Sequence, residues 1–206
     1  MSTIDSLRTL LVEQIKDIYD AEKRLTKALP KMRKAAANEE LQQAIEDHLA
    51  ETEEHISRLE RAFEMLDEKP KAKPCAGMRG IIEEGQEHVG EDYEEDDIRD
   101  AVIIGSAQRV EHYEIAAYGT AIAHAKLLGE EDLASLLHET LEEEKAADER
   151  LTQIAESVVN IEAAQDEDEE EPASSRSRKG GARGATASMP RAVAAESGRS
   201  KRGRSR

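Results

Sequence analysis

The chain has 206 residues, of which 38 % are hydrophobic, 36 % charged and 2 % aromatic, and its formal net charge is −17. With a single Phe63 and no Trp, an aromatic-filled sandwich or barrel core is excluded, whereas abundant Ala, Leu, Glu and Lys specify long helices. The acidity disfavours nonspecific adhesion to nucleic acid or anionic lipid, and the lone Cys75 excludes both an intramolecular disulfide and a Cys-rich metal site.

At the N-terminus, Met1-Ser2-Thr3-Ile4-Asp5 lacks a basic region followed by an apolar run. No stretch approaches the ~20 apolar residues of a membrane span, so a cytoplasmic protein without a membrane partner is expected. Leu7, Leu11, Ile15, Ile18, Leu25, Leu29 and Met32 then recur at steps of three and four, with one gap. That period describes a long amphipathic helix, with Ser2, Thr3 and Asp5 as candidate caps. Pro30 should kink it or end it early.

The period restarts after Asn38 with Leu41, Ile45, His48, Thr52, His55 or Ile56, Leu59, Phe63 and Leu66. The short connection makes this second helix antiparallel to the first. Lys69-Pro70-Lys71-Ala72-Lys73-Pro74 breaks the pattern, and a shorter amphipathic piece from Cys75 to about Val89 serves as a crossover. The third long helix carries Ile103, Ala107, Val110, Ala117, Ala121, Ala125 and Leu128, with Gly129 as its C-cap. The fourth carries Leu133, Leu137, Leu141, Ala147, Leu151, Ile154 and Val158. The fold class expected is all-α: an antiparallel four-helix bundle over residues 1–160 with a short crossover helix.

Residues 161–206 are expected to form a disordered tail, opening on the acidic run 166–171. From Ala173 onward ten Lys or Arg face one acid, Glu196, so the net charge of −17 divides into +9 there and −26 before it. The basic segment 173–206 could neutralise nucleic-acid phosphates weakly, but no aromatic residue is interleaved for base stacking.

An internal repeat carries the strongest functional signal. A shift of 92 residues lays the first helical hairpin on the second without a gap, matching Glu22 to Glu114, Leu49 to Leu141, Glu51 to Glu143 and Leu59 to Leu151. Glu22 fills the gap in the first apolar stripe, and Glu114 does the same in the third helix. Glu51 and Glu143 border the stripes of the second and fourth. An isolated buried carboxylate is costly, and four near mid-bundle would repel one another. A pair of divalent cations, which take oxygen ligands, resolves the conflict.

At Asp17-Ile18-Tyr19-Asp20-Ala21-Glu22, His48-Leu49-Ala50-Glu51-Thr52, Gln108-Arg109-Val110-Glu111-His112-Tyr113-Glu114 and Thr140-Leu141-Glu142-Glu143-Glu144-Lys145 the chain resembles the YciE/YciF family of ferritin-like proteins. The resemblance spans about residues 3–160 and implies a ferritin-like four-helix bundle, a homodimer, a stress-associated role and a dinuclear metal centre, iron first and manganese second. By that resemblance Glu22 and Glu114 are the single carboxylates, Glu51 and Glu143 begin the second-helix motifs, and Glu111 is a further ligand. Where the family pattern places His three residues on, this chain has Glu54 and Ala146. Glu54 is thus a candidate oxygen ligand, and His48 and His55, one turn either side of Glu51, could substitute on one side.

A loaded centre implies oxidase or peroxide-detoxifying activity, with Tyr19 and Tyr113 close enough to donate electrons or to tie their hydroxyls to carboxylates. The alternative is a metal-free, dimerising stress module whose buried Glu residues share protons or pair with Arg109 and Lys145.

Overall fold

The computed structural model describes residues 4–169, with side chains as far as 164. All regular structure among the described residues is helical: α1 (Leu7–Ala35), α2 (Glu39–Met65), α3 (Ala76–Val89), α4 (Asp96–Leu127), α5 (Glu131–Ile154), a π-helical turn (Ala155–Val159) and α6 (Asn160–Glu169). Helix α1 packs on α2 and α4, and α5 packs on the same two, which makes the four-helix bundle. The crossover helix α3 lies against α4 and α1. None of these helices is long and apolar enough to cross a membrane.

Local chemistry sets the helix ends. The cap of α1 is Ser6, one residue beyond the expected candidates, whose hydroxyl accepts from Thr9 N at 3.1 Å. Asn38 caps α2 by accepting from Glu40 N and Leu41 N. Gly129 adopts φ +77° directly after the C-cap of α4, a conformation that disfavours any side chain. Pro30 does not end α1, which runs five residues past it. The ring removes one hydrogen bond, to the carbonyl of Thr26, but Pro30 lies on the exposed face, where solvent can replace it.

Helical structure also extends past the expected boundary at 160. Val159 and Ala163 are buried, and residues 161–169, placed in the tail on sequence grounds, continue as α6. The remainder of that tail, with the basic segment 173–206 and its nucleic-acid contact, lies outside the described residues.

The core is divided. One apolar half runs over Leu11–Tyr19 of α1, Leu59–Phe63 of α2 with its C-cap Leu66, Tyr118–Ala125 of α4 and Leu133–Leu141 of α5. The other gathers Ala21–Ala36, Leu41–Ile45, Ile103–Val110 and Leu151–Val159, with Cys75 and Met78 from the crossover. Between them each long helix interrupts its apolar stripe with polar side chains, and these meet in one buried layer: Glu22, His48, Thr52, His55, Glu111, Glu114, Thr140 and Glu144.

Asp100 on α4 fixes the α1–α2 connection from outside this layer. Fully buried, it accepts from Ala37 N at 2.9 Å and from Asn38 N at 2.6 Å. Asp100→Ala leaves two backbone N–H groups without these acceptors and should cost about 3 kcal/mol, read as a lower urea midpoint at unchanged slope.

Candidate metal centre

Each long helix sends side chains into the polar layer because its inward-facing line, spaced at three and four residues, carries a polar residue there. Helix α1 gives Glu22, α2 His48 and His55, α4 Glu111 and Glu114, and α5 Glu144. They form two overlapping groups, His48–Glu111–Glu114–Glu144 and Glu22–His55–Glu144, and within each the ligand-type atoms all lie within 4.8 Å of one another. Glu144 belongs to both. Its Oε1 is 3.0 Å from His55 Nδ1, and its Oε2 is 3.8 Å from His48 Nε2. His48 Nε2 also lies 3.4 Å from Glu111 Oε1, and His55 Nδ1 lies 3.6 Å from Glu22 Oε1.

The structure thus brings together five of the eight residues singled out in the sequence: Glu22, His48, His55, Glu111 and Glu114. Glu51, Glu54 and Glu143 do not join them. Their side chains are 46 %, 58 % and 33 % exposed. The reason is rotational: residues one apart on a helix point about 100° apart. On α5 the inward line passes through Leu137, Leu141 and Glu144, leaving Glu143 at the rim. On α2 it passes through His48, Thr52 and His55, and Glu51 and Glu54 face outward.

Glu143 nevertheless acts on the layer. Arg58 Nη2 donates to Glu143 Oε1 at 2.9 Å, and the guanidinium holds this carboxyl below its usual range. An ionised carboxylate only accepts, so at the 2.9 Å contact His55 Nε2 must be the donor. His55 therefore turns its Nδ1 toward Glu144 and Glu22. Glu51 stands in a similar place behind His48, 3.5 Å from Nδ1. The matched pair Glu51 and Glu143 thus backs the two imidazoles, an outer-carboxylate arrangement that sets the orientation and basicity of metal-binding histidines.

Two participants were missed in the sequence. Glu144 fills the gap between Leu141 and Ala147 just as Glu22 fills the gap in α1, and that signal is present. Tyr118, one turn after Glu114, is fully buried and donates its hydroxyl to Glu22 Oε1 at 2.5 Å. Tyr19 and Tyr113 tie their hydroxyls to carboxylates outside the layer, Glu60 at 2.8 Å and Asp17 at 3.0 Å. Arg109 and Lys145 do not neutralise the buried Glu residues: Arg109 donates to its own helix at Gly105 O, and Lys145 pairs with Glu142.

The electrostatics follow from burial and crowding. Burial lowers the proton affinity of both imidazoles, but the carboxylates outweigh it. Glu111, Glu51 and Glu144 bring His48 up to about 9, and Glu144 and Glu22 bring His55 up to about 10. Burial raises Glu22, Glu111 and Glu114, and neighbouring carboxylates add to the rise. Burial also opposes ionisation of Glu144, yet His55 and His48 hold it below the usual range. Nine of the ten buried side-chain nitrogens and oxygens without a hydrogen-bond partner among the described residues belong to Glu22, His48, His55, Glu111, Glu114 and Glu144. Oxygen and imidazole donors left without hydrogen bonds and converging from four helices fit divalent cations.

Comparisons with known proteins agree with this architecture. The family described as a domain of unknown function, DUF892, matches residues 6–164. Protein YciF of Escherichia coli strain K12 is 45 % identical over 164 residues, covering 79 % of this chain and 96 % of its own length. The crystal structure of the E. coli stress protein YciF superposes with a TM-score of 0.73 at 44 % identity, over 76 % of this chain and 99 % of that one. YcfI from Rhodopseudomonas palustris superposes with a TM-score of 0.72 at 43 % identity, over 75 % and 99 %.

Proposed function

The chain belongs to the YciE/YciF family of ferritin-like proteins, DUF892, and we propose that its polar layer holds a dinuclear metal centre, with iron as the metal and manganese as the second choice. Glu22, His55 and Glu144 would hold one ion, and His48, Glu111, Glu114 and Glu144 the other. The observation that carries this reading is the concentration in these six residues of buried oxygen and nitrogen atoms that lack a hydrogen bond. Their four carboxylates bring four negative charges, which two divalent cations balance.

A bound iron pair supplies one-electron redox chemistry toward oxygen or peroxide, the activity proposed here. The chain's own residues hold and shield the centre. Arg58 and Glu143 fix His55. The Tyr118 hydroxyl, kept protonated by burial and by Glu22 and Glu144, orients Glu22. The two apolar halves of the core exclude water from above and below. A homodimeric, cytoplasmic, stress-associated protein completes the proposal, the last point resting on the description of the E. coli relative as a stress protein.

A metal-free reading has one observation in its favour: His48 and His55 pair with the same carboxylates that would bind metal. Metal counting separates the two. The full chain, purified without a His tag and loaded with ferrous iron or manganese, should retain two ions after dialysis. The variant Glu22→Ala plus Glu114→Ala should retain less than half as much. Near-zero retention by the parent chain, or equal retention by both, defeats the dinuclear reading.

A further inference from the structure

A cavity of about 120 Å³ reaches the polar layer between α2 and α5. His48 and Glu111 form its inner end, and Ala44, Ala107 and Ala147 are among its walls. The exposed Glu51 and the half-exposed Arg150 mark its mouth. The repeat explains why it lies on this side. A shift of 92 residues places Ala147 opposite His55. In the first repeat that position carries an imidazole, fully buried and backed by Glu143 and Arg58, which closes the Glu22 side. In the second it carries only a methyl group, and this Ala147 lines the cavity.

We propose that this cavity admits a small exogenous ligand, neutral or singly charged and of two or three heavy atoms, to the His48–Glu111–Glu114 half of the centre; the inference rests on the dinuclear reading above. Size permits this class, since a water molecule takes up about 30 Å³ of liquid and a space of about 120 Å³ accommodates two or three heavy atoms. The alanine walls offer no polar partner to a larger solute. Charge supports it too. Arg150 is already engaged by Asp47 at 2.7 Å, so the mouth retains the negative charge of Glu51, which opposes entry of multiply charged anions such as phosphate. The two halves of the centre are thereby inequivalent: one closed by protein ligands, the other open to an incoming molecule.

Azide and cobalt(II) make the test independent of turnover. The full chain loaded with cobalt should show a saturable change in its visible absorption on azide titration. Ala147→Leu fills the cavity without adding a ligand. It should keep the cobalt count while weakening azide binding at least tenfold. Ala44→Leu fills the same space from α2 and should do likewise, which covers the case of one variant folding poorly. Unchanged azide affinity in cobalt-loaded filling variants overturns the inference, as does a cobalt-loaded parent chain that does not respond to azide. A parent chain that retains no cobalt overturns the dinuclear reading instead.

Discussion

Replacing Glu144 with Gln or Ala should abolish dinuclear loading, leaving less than one ion per chain, whereas Glu143→Ala should still take up two. Glu144 is the one side chain common to both ligand groups, with one oxygen toward each imidazole. Losing it removes a donor from each position at once. Glu143 acts one step further out: it holds His55 through Nε2 and is itself held by Arg58. Loss of such an outer partner costs about ten- to a hundredfold in metal affinity and leaves the stoichiometry intact. Metal counting by mass spectrometry, with a chelator competition for affinity and circular dichroism as the check on folding, reads both effects. Loss of both ions in Glu143→Ala with full loading of Glu144→Gln would reverse the assignment.

That pair of neighbours also shows where sequence reasoning was sufficient and where it was not. The bundle was legible because its determinants are periodic. The apolar stripes, the restart of the period after Asn38, the Pro-rich break before the crossover and Gly129 each act locally, and the start of α2, the crossover helix α3 and the end of α4 lie close to these signals. Glu22 and Glu114 were legible for the same reason, since each breaks an apolar period. The symmetry of the repeat then drew attention to Glu51 and Glu143 because they match in type. The inward residues at that level are Thr52 and Glu144, which match in position and not in type.

The centre is consequently less symmetric than the repeat that builds it. In the first repeat Thr52 turns its hydroxyl to His48 O at 2.8 Å, and two imidazoles stand in for a carboxylate. In the second repeat the carboxylate is present at Glu144, while the positions matching His48 and His55 hold Thr140 and Ala147. Helical phase near mid-helix, where a one-residue error turns a side chain by about 100°, is not fixed by matching residue types. It had to be taken from the leucines on either side. Tyr118 carries no such sequence signal, because an aromatic residue on an apolar stripe is ordinarily core, and only the position of its hydroxyl beside Glu22 distinguishes it.

The protein stripped of metal should lose stability as pH rises from 6 to 10, while the loaded protein should be protected over the same range. His48 and His55 are raised to about 9 and about 10, above the ~6.5 of an unfolded histidine. Each thus contributes stability that is fully present below pH ~6.5 and lost as the pH climbs through its folded value. The raised carboxyls of Glu22, Glu111 and Glu114 act in the same direction, since the folded chain holds their protons at a pH where the unfolded chain has released them. Glu144 opposes them: its carboxyl is lowered, so its contribution is present above the unfolded value and fades only in acid. Above pH 6 the raised groups dominate, and the stripped bundle is left with repelling buried carboxylates. Divalent metal takes the place of those protons. At pH 7 loading should release at least the two imidazolium protons, so that apparent affinity rises with pH, and calorimetry in buffers of different ionisation enthalpy counts them directly. Thermal melts of stripped and loaded protein at pH 6 and 9 should show a gap that widens with pH. A gap that stays constant, with no protons released on loading, would mean that the metal binds elsewhere than among these six side chains.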